Sequence, residues 1–238
     1  MPFYFYIILF GTILLSGLSF FLFKNIGPKQ LKLLLSFSGS YLFALTVLHL
    51  IPTVYKNGNE SIGIFIFIGF FIQIILEFFS EGIEHGHIHV HKHQNAVFPF
   101  GMMIGLCIHS FLEGMPLVQK FPEASTQRSL LAGITLHHIP VALALVSMLI
   151  QSGVKKKSAV FYLLLFALMA PAGALTVTLL GNSAIENFPL FSDQVMAIVI
   201  GIFLHISTTI LFESYEQHRF NYLKLLIILL GGGLAFLS

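Results

Sequence analysis

Four ionisable side chains in two apolar segments form the clearest chemical pattern in this sequence. His109 and Glu113 stand four residues apart in the first segment, and His137 and His138 are adjacent in the second. Residues at positions i and i+4 lie on one face of a helix, one turn apart. Imidazole and carboxylate groups are common ligands of divalent transition metals. The spacing therefore predicts that two helices close around a metal ion.

The rest of the chain has the composition of a membrane protein. Of its 238 residues, 56% are hydrophobic and 9% are charged, whereas soluble domains average about 25% charged residues. We expect one all-α, polytopic membrane domain over 1–238, surrounded by lipid and without a nucleic-acid partner. The single cysteine, Cys107, excludes a cysteine-rich metal site. Ionisable groups are costly inside a bilayer and usually line a pathway there.

Eight apolar runs predict eight transmembrane helices, at 3–23, 33–55, 61–80, 98–118, 129–151, 158–180, 193–213 and 222–237. Basic residues are enriched in cytoplasmic loops. The loops after odd-numbered spans, with their flanks, hold Lys24, Lys29, Lys32, Lys92, Lys155, Lys156, Lys157, Arg219 and Lys224, and the other loops hold Lys56, Lys120 and Arg128. This excess predicts that both termini lie outside and that the loop at about 81–97 is cytoplasmic.

Several other residues are weaker candidates for metal contact. They are Ser110, His49, His205, Glu77, Glu213 and the loop residues His85, His87, His89, His91 and His93. Alternating histidines are typical of metal-binding segments, and we expect the loop to bind metal exchangeably without being needed for passage. His49 fits equally well as a buried histidine bonded to a backbone carbonyl. Glu77, Glu81 and Glu84 share a helix face, which fits either a cation exit or a solvated helix end.

Proline follows both of the main polar clusters. Pro116 and Pro140 each remove a backbone donor and free a carbonyl near the ionisable groups. Irregular backbone at membrane depth is tolerated where it lines a cavity or is buried in protein. Adjacent residues on a helix point about 100° apart. We therefore expect one of His137 and His138 to face the fourth span and the other to face a different neighbour.

Taken together, these residues resemble the ZIP family of divalent-metal transporters over nearly the whole chain. The run His109-Ser110-Phe111-Leu112-Glu113-Gly114 is similar to the fourth-span pattern His-Asn-x-x-Glu-Gly of that family. The run His137-His138-Ile139-Pro140-Val141 stands where the fifth span has His-Glu-x-x-His-Glu or a close relative. His49-Leu50-Ile51-Pro52, and Phe203-Leu204-His205 with Glu213, resemble second- and seventh-span segments.

The resemblance implies an eight-helix bundle that takes up a divalent metal into the cytoplasm and is not an enzyme. It implies His109, Glu113 and His137 as the primary site, and His138 as a fourth ligand or part of a reduced second site. Members with two metals have Asn in the fourth span, acidic or amide groups in the fifth and sometimes Glu in the sixth. This chain has Ser110, Val141 and Ala170 at those positions, which favours a single metal position.

The expected substrate is Zn²⁺, with Fe²⁺, Mn²⁺, Cd²⁺ and Co²⁺ as alternatives. The expected location is a bacterial inner membrane, and a homodimer is the candidate assembly.

Two other functions fit parts of the pattern. In a haem-binding membrane oxidoreductase subunit, His49, His109, His137 and His205 could be axial ligands, but haem does not require Glu113. An intramembrane zinc protease needs His-Glu-x-x-His on a helix. This sequence lacks that run, because His138 follows His137 and Val141 stands where the second histidine would be.

Overall fold

The computed structural model describes residues 1–22, 27–56, 61–80, 82–83, 100–119, 121, 123–181, 185, 187–213 and 222–237. Its α-helices are α1 (Phe3–Ser19), α2 (Pro28–Leu45), α3 (Ile51–Tyr55), α4 (Ile62–Ser80), α5 (Phe100–Gly114), α6 (Ala124–Gln151), α7 (Lys156–Gly181), α8 (Phe188–Glu213) and α9 (Tyr222–Phe236). A π-helical turn, Thr46–Leu50, joins α2 to α3, and a 3-10 turn, Met115–Val118, follows α5. These ranges contain no strand, so the all-α prediction is confirmed for them.

Six helical stretches are long and apolar enough to cross a membrane. They are Lys29–Tyr55, Ile62–Ser80, Phe100–Val118, Ala124–Gln151, Lys156–Gly181 and Phe188–Phe212. Helices α1 and α9 are apolar but shorter, with 17 and 15 residues. Each of the eight predicted spans therefore contains a helix, and six of these helical stretches are long enough to cross a membrane. Helices α6 and α8 begin earlier than predicted. The added residues of α6 include Ser125, Thr126 and Gln127, and those of α8 include Pro189 and Ser192, which a hydrophobic helix pattern does not favour.

Helix α6 is the central helix of the bundle, and its side chains are buried along most of its length. One buried apolar cluster joins it to α5 and α7 and includes Leu106, Leu145 and Phe166. A second cluster joins it to α2 and α8 and includes Leu42, Leu130 and Phe203. Helix α4 exposes large apolar side chains along one side, namely Ile64, Phe67, Ile68, Phe71, Ile75 and Phe78. Such a surface is suited to contact with lipid.

Helices α5 and α7 cross in close contact beside Glu113. A Cβ atom at Gly114 would overlap the carbonyl oxygen of Ala170, and one at Gly173 would overlap the carbonyl oxygen of Phe111. Glycine at both positions lets the two backbones approach, as small residues commonly do in membrane helix pairs. The crossing therefore fixes the position of the α5 turn that carries Glu113.

The prolines have different local consequences. Helix α6 continues through Pro140 and helix α7 through Pro171. At Pro116 the α-helix has already ended, and the backbone forms the 3-10 turn instead. Irregular backbone therefore occurs next to Glu113, as expected from Pro116.

Candidate metal centre

Helices α5 and α6 bring three ligand-type side chains together in the interior of the bundle. His109, Glu113 and His137 each offer one ligand atom, and these atoms lie within 4.8 Å of one another. All three residues are fully buried, and so is the neighbouring His138. Zinc bonds to such ligands measure about 2.0–2.2 Å, so small inward side-chain movements would bring the three atoms into contact with one ion.

The carboxylate of Glu113 lies between two imidazoles. Its Oε1 is 3.2 Å from Nε2 of His109, and its Oε2 is 3.5 Å from Nε2 of His138. The ring of His137 completes the group, with its centroid 5.9 Å from that of His109 and 5.9 Å from that of His138. Glu113 is therefore positioned to hold a cation together with His109 on one side or with His138 on the other.

Carbonyl oxygens face the outer ring nitrogens of two of these histidines. Nδ1 of His109 is 3.1 Å from Oε1 of Gln73, and Nδ1 of His138 is 2.8 Å from the carbonyl oxygen of Ile134. A carbonyl oxygen can only accept, so each Nδ1 donates its proton, and a neutral ring then has its lone pair on Nε2. Both lone pairs are near the carboxylate of Glu113. Both the carboxylate and the Nε2 lone pair of His109 are electron-pair donors 3.2 Å apart, so a cation between them would be favourable.

Ser110 supports His138 in this arrangement. Its Oγ is 3.1 Å from Nε2 of His138, and because that nitrogen accepts, the serine hydroxyl donates. Val141 and Ala170 are fully buried and apolar, so neither offers a ligand. The donor set therefore favours one well-formed metal position.

The prediction that His137 and His138 face different neighbours is wrong. Both rings lie beside His109 of α5, at centroid distances of 5.9 and 6.2 Å. The reason is the width of the polar face of α5, where His109 and Ser110 are adjacent and Glu113 follows one turn later. Two side chains about 100° apart on α6 can both reach a face of that width.

A separate acid–imidazole pair joins α4 to α8. Nε2 of His205 is 3.4 Å from Oε2 of Glu77, and the two side chains are 11% and 25% exposed. The ring of His205 also meets Phe70 edge-on, with centroids 4.9 Å apart. Within the described ranges, the only group of three or more possible ligands is that of His109. Glu77 and His205 thus form an acid–imidazole contact outside the centre.

The remaining weaker candidates lie outside the centre or outside the described residues. Nε2 of His49 donates to the carbonyl oxygen of Ala235, at 3.1 Å, which agrees with the alternative of a carbonyl-bonded histidine. Glu213 is the last residue of α8, and its side chain is outside the description. The loop residues Glu81, Glu84, His85, His87, His89, His91 and His93 also lie outside the described residues.

Gln73 is a residue of the site that the sequence does not indicate. It is the one amide in a helix that is otherwise apolar up to Glu77, and it is fully buried. That isolated amide is the only available signal, because its contact with His109 depends on how α4 packs against α5.

Comparison with known proteins gives a consistent match. Residues 84–238 match the family model described as ZIP Zinc transporter. Zinc transporter ZIP9-A of Xenopus laevis is 26% identical over 159 residues, which cover 65% of this chain and 52% of the relative. Zinc transporter ZIP1 of Danio rerio is 29% identical over 157 residues, covering 63% and 50%. Protein zntD of Dictyostelium discoideum is 27% identical over 172 residues, covering 66% and 25%. The chain thus spans about half the length, or less, of these relatives.

Proposed function

The chain belongs to the ZIP family of zinc transporters, and from this premise we propose that it carries Zn²⁺ across the membrane into the cytoplasm. The family is one of transporters and not of enzymes, which removes the protease alternative. The observation that carries the proposal is the convergence of His109, Glu113 and His137 at a fully buried position between α5 and α6.

We assign His109, Glu113 and His137 as the primary ligands of the transported ion. A cation that leaves water loses its hydration shell, and a carboxylate with two imidazoles offsets this loss in a buried site. Three protein ligands leave a fourth coordination position open, which suits a site that must also release its ion. His138 serves as a fourth ligand or as the ligand of a weaker second position, since it meets the same carboxylate.

The donor set supports a transition metal of the zinc type. Imidazole ligands favour Zn²⁺ and other late first-row ions, whereas Mg²⁺ and Ca²⁺ prefer oxygen ligands. Fe²⁺, Mn²⁺, Cd²⁺ and Co²⁺ are the competing substrates to be tested. Zinc is placed first because the printed names of the ZIP9-A and ZIP1 relatives are zinc transporters.

We further propose eight crossing helices in one transporter domain over 1–238, with both termini outside. At 17 and 15 residues, α1 and α9 are about 25 and 22 Å long, which is shorter than the ~30 Å hydrocarbon core, and their apolar sequences support their assignment as crossing helices. The excess of basic residues in loops after odd-numbered spans supports the orientation. We also propose that the protein lies in a bacterial inner membrane and forms a homodimer. The metal site near the membrane midplane would open alternately to the two sides of the membrane.

A haem-binding subunit is not favoured. Its four proposed axial histidines lie in three different settings: His109 and His137 in the centre, His49 on the carbonyl of Ala235, and His205 on Glu77. The centre also buries a carboxylate that haem ligation does not need. Purified protein with a Soret absorption band would reverse this preference.

The test of the proposal is zinc uptake into proteoliposomes, with Fe²⁺, Mn²⁺, Cd²⁺ and Co²⁺ as competitors. We expect the wild type to take up zinc, and His109→Ala and Glu113→Ala to lose most of that uptake. His49→Gln is the matched control, because it changes an intramembrane histidine outside the centre. Wild-type uptake in both centre variants would remove the assigned site, and absence of wild-type uptake of every metal would remove the function.

A second variant addresses the histidine-rich loop. Replacing the five loop histidines, His85, His87, His89, His91 and His93, with alanine should change the apparent affinity or its regulation. Basal uptake should remain, because the loop is not needed for passage. Complete loss of uptake would contradict this assignment.

A further inference from the structure

We propose that Gln73 of α4 is a positioning residue that fixes which nitrogen of His109 is available to the metal ion. Its Oε1 lies 3.1 Å from Nδ1 of His109, and Gln73 does not itself ligate the ion. The inference rests on the proposed function, since it requires His109 to be a ligand.

The burial of Gln73 gives this hydrogen bond its importance. Gln73 and His109 are both fully buried. Every residue of α4 before Gln73 is apolar or glycine. Burying an amide in such surroundings is costly unless the amide is hydrogen-bonded. The contact with His109 therefore satisfies Oε1 of Gln73 and Nδ1 of His109 at the same time.

The chemical consequence concerns the tautomer of His109. A neutral imidazole carries its proton on either nitrogen, and the hydrogen bond at one nitrogen decides the tautomer. Because Oε1 of Gln73 accepts, Nδ1 keeps the proton and Nε2 keeps the lone pair. That Nε2 is the atom 3.2 Å from Oε1 of Glu113. Gln73 thus directs the lone pair of His109 into the centre.

The neighbouring histidine shows why His109 depends on a side chain. His138 obtains its acceptor from the carbonyl oxygen of Ile134 in its own helix, at 2.8 Å. No substitution removes that backbone oxygen. His109 instead takes its acceptor from a side chain on another helix, so one substitution at Gln73 can remove it. Outer partners of metal-binding histidines typically account for about 10–100-fold in metal affinity.

The direct test is the tautomer of His109 in protein labelled with ¹⁵N-histidine and held in nanodiscs without metal. The His109 signal is identified by its loss in His109→Asn. We expect Nδ1–H in the wild type and in Gln73→Glu, which keeps an acceptor oxygen. In Gln73→Met, which keeps the length without the acceptor, we expect the proton to move wholly or partly to Nε2. An Nδ1–H tautomer unchanged in Gln73→Met would overturn the inference.

The same variants are then titrated with zinc. Gln73→Met should raise the Kd by roughly 10–100-fold, and Gln73→Glu should stay close to the wild type. Gln119→Met is the matched control, because it removes another buried glutamine, whose Nε2 donates to Oδ1 of Asp193 at 2.9 Å. This control should change neither the tautomer nor the Kd. An equal loss of affinity in Gln119→Met would mean a general packing effect and would overturn the inference.

The outcomes separate this inference from the proposed function. Unchanged zinc affinity in His109→Asn removes the assigned site itself. Loss of affinity in His109→Asn, with wild-type affinity in Gln73→Met, removes the positioning role alone. If Gln73→Met does not fold, Gln73→Glu decides, because a folded Gln73→Glu protein without the Nδ1–H tautomer contradicts the role of the acceptor.

Discussion

Two acid–imidazole contacts in this bundle have similar residue types and different surroundings. At the centre, Glu113 meets His109 and His138, with His137 alongside, and all of them are fully buried. Between α4 and α8, Glu77 meets His205, and their side chains are 25% and 11% exposed. A carboxylate and one imidazole offer two ligand-type groups, whereas the centre offers three that could hold a metal ion. We propose that the number and orientation of the donors distinguish the candidate metal centre from the contact between Glu77 and His205.

The strongest test of this contrast removes the charge from each carboxylate in turn. Glu113→Gln should lower zinc uptake by more than about 100-fold, because loss of a ligand should exceed the effect of an outer partner. Glu77→Gln should leave uptake close to that of the wild type, since Glu77 contacts His205 and is not in the group of three ligand-type residues. Uptake into proteoliposomes at equal protein density measures both. A larger loss in Glu77→Gln than in Glu113→Gln would reverse the roles of the two regions.

A second comparison lies within the centre, between its adjacent histidines. His137→Asn should weaken zinc binding by about 100-fold, as expected for a primary ligand, and His138→Asn by about tenfold, as for an auxiliary one. Calorimetric titration of the purified proteins would give both Kd values. Greater loss in His138→Asn would move the main metal position to the Ser110 side of Glu113.

The third and smallest effect is that of pH on the wild type. Zinc ligands must be deprotonated to bind, so protons compete with the ion, and the Kd should rise as pH falls. Imidazole ordinarily titrates near pH ~6.5, so the competition should appear mainly below that value. Titrations between pH ~7.5 and ~5.5 measure the Kd at each pH, and its dependence on pH should be the same in the wild type and in Glu77→Gln. A pH-independent Kd would contradict ligation by imidazole.

The sequence predicts most of the helical architecture because long apolar runs are a strong signal for membrane helices. All eight runs form helices, but α1 and α9 are shorter than the runs that contain them. Helix ends depend on local turn geometry and on polar first turns, such as the turn after Ala124 that contains Ser125, Thr126 and Gln127. Hydropathy alone therefore predicts the presence of these helices better than their bounds.

The candidate site is predictable where it depends on local spacing. His109 and Glu113 share a helix face in any regular helix, so their pairing needs no knowledge of packing. The approach of both His137 and His138 to α5 depends on helix packing, and the prediction for them was wrong. Gln73 reaches His109 through the contact between α4 and α5, which no spacing within one helix reveals.

The measurement that tests the central claim most directly is anomalous X-ray diffraction at the zinc edge, on crystals grown with zinc. The account predicts an anomalous peak among His109, Glu113 and His137, with metal–ligand distances of about 2.0–2.2 Å. It predicts no peak between Glu77 and His205. A zinc peak at Glu77 and His205, with none at the centre under saturating zinc, would contradict the account.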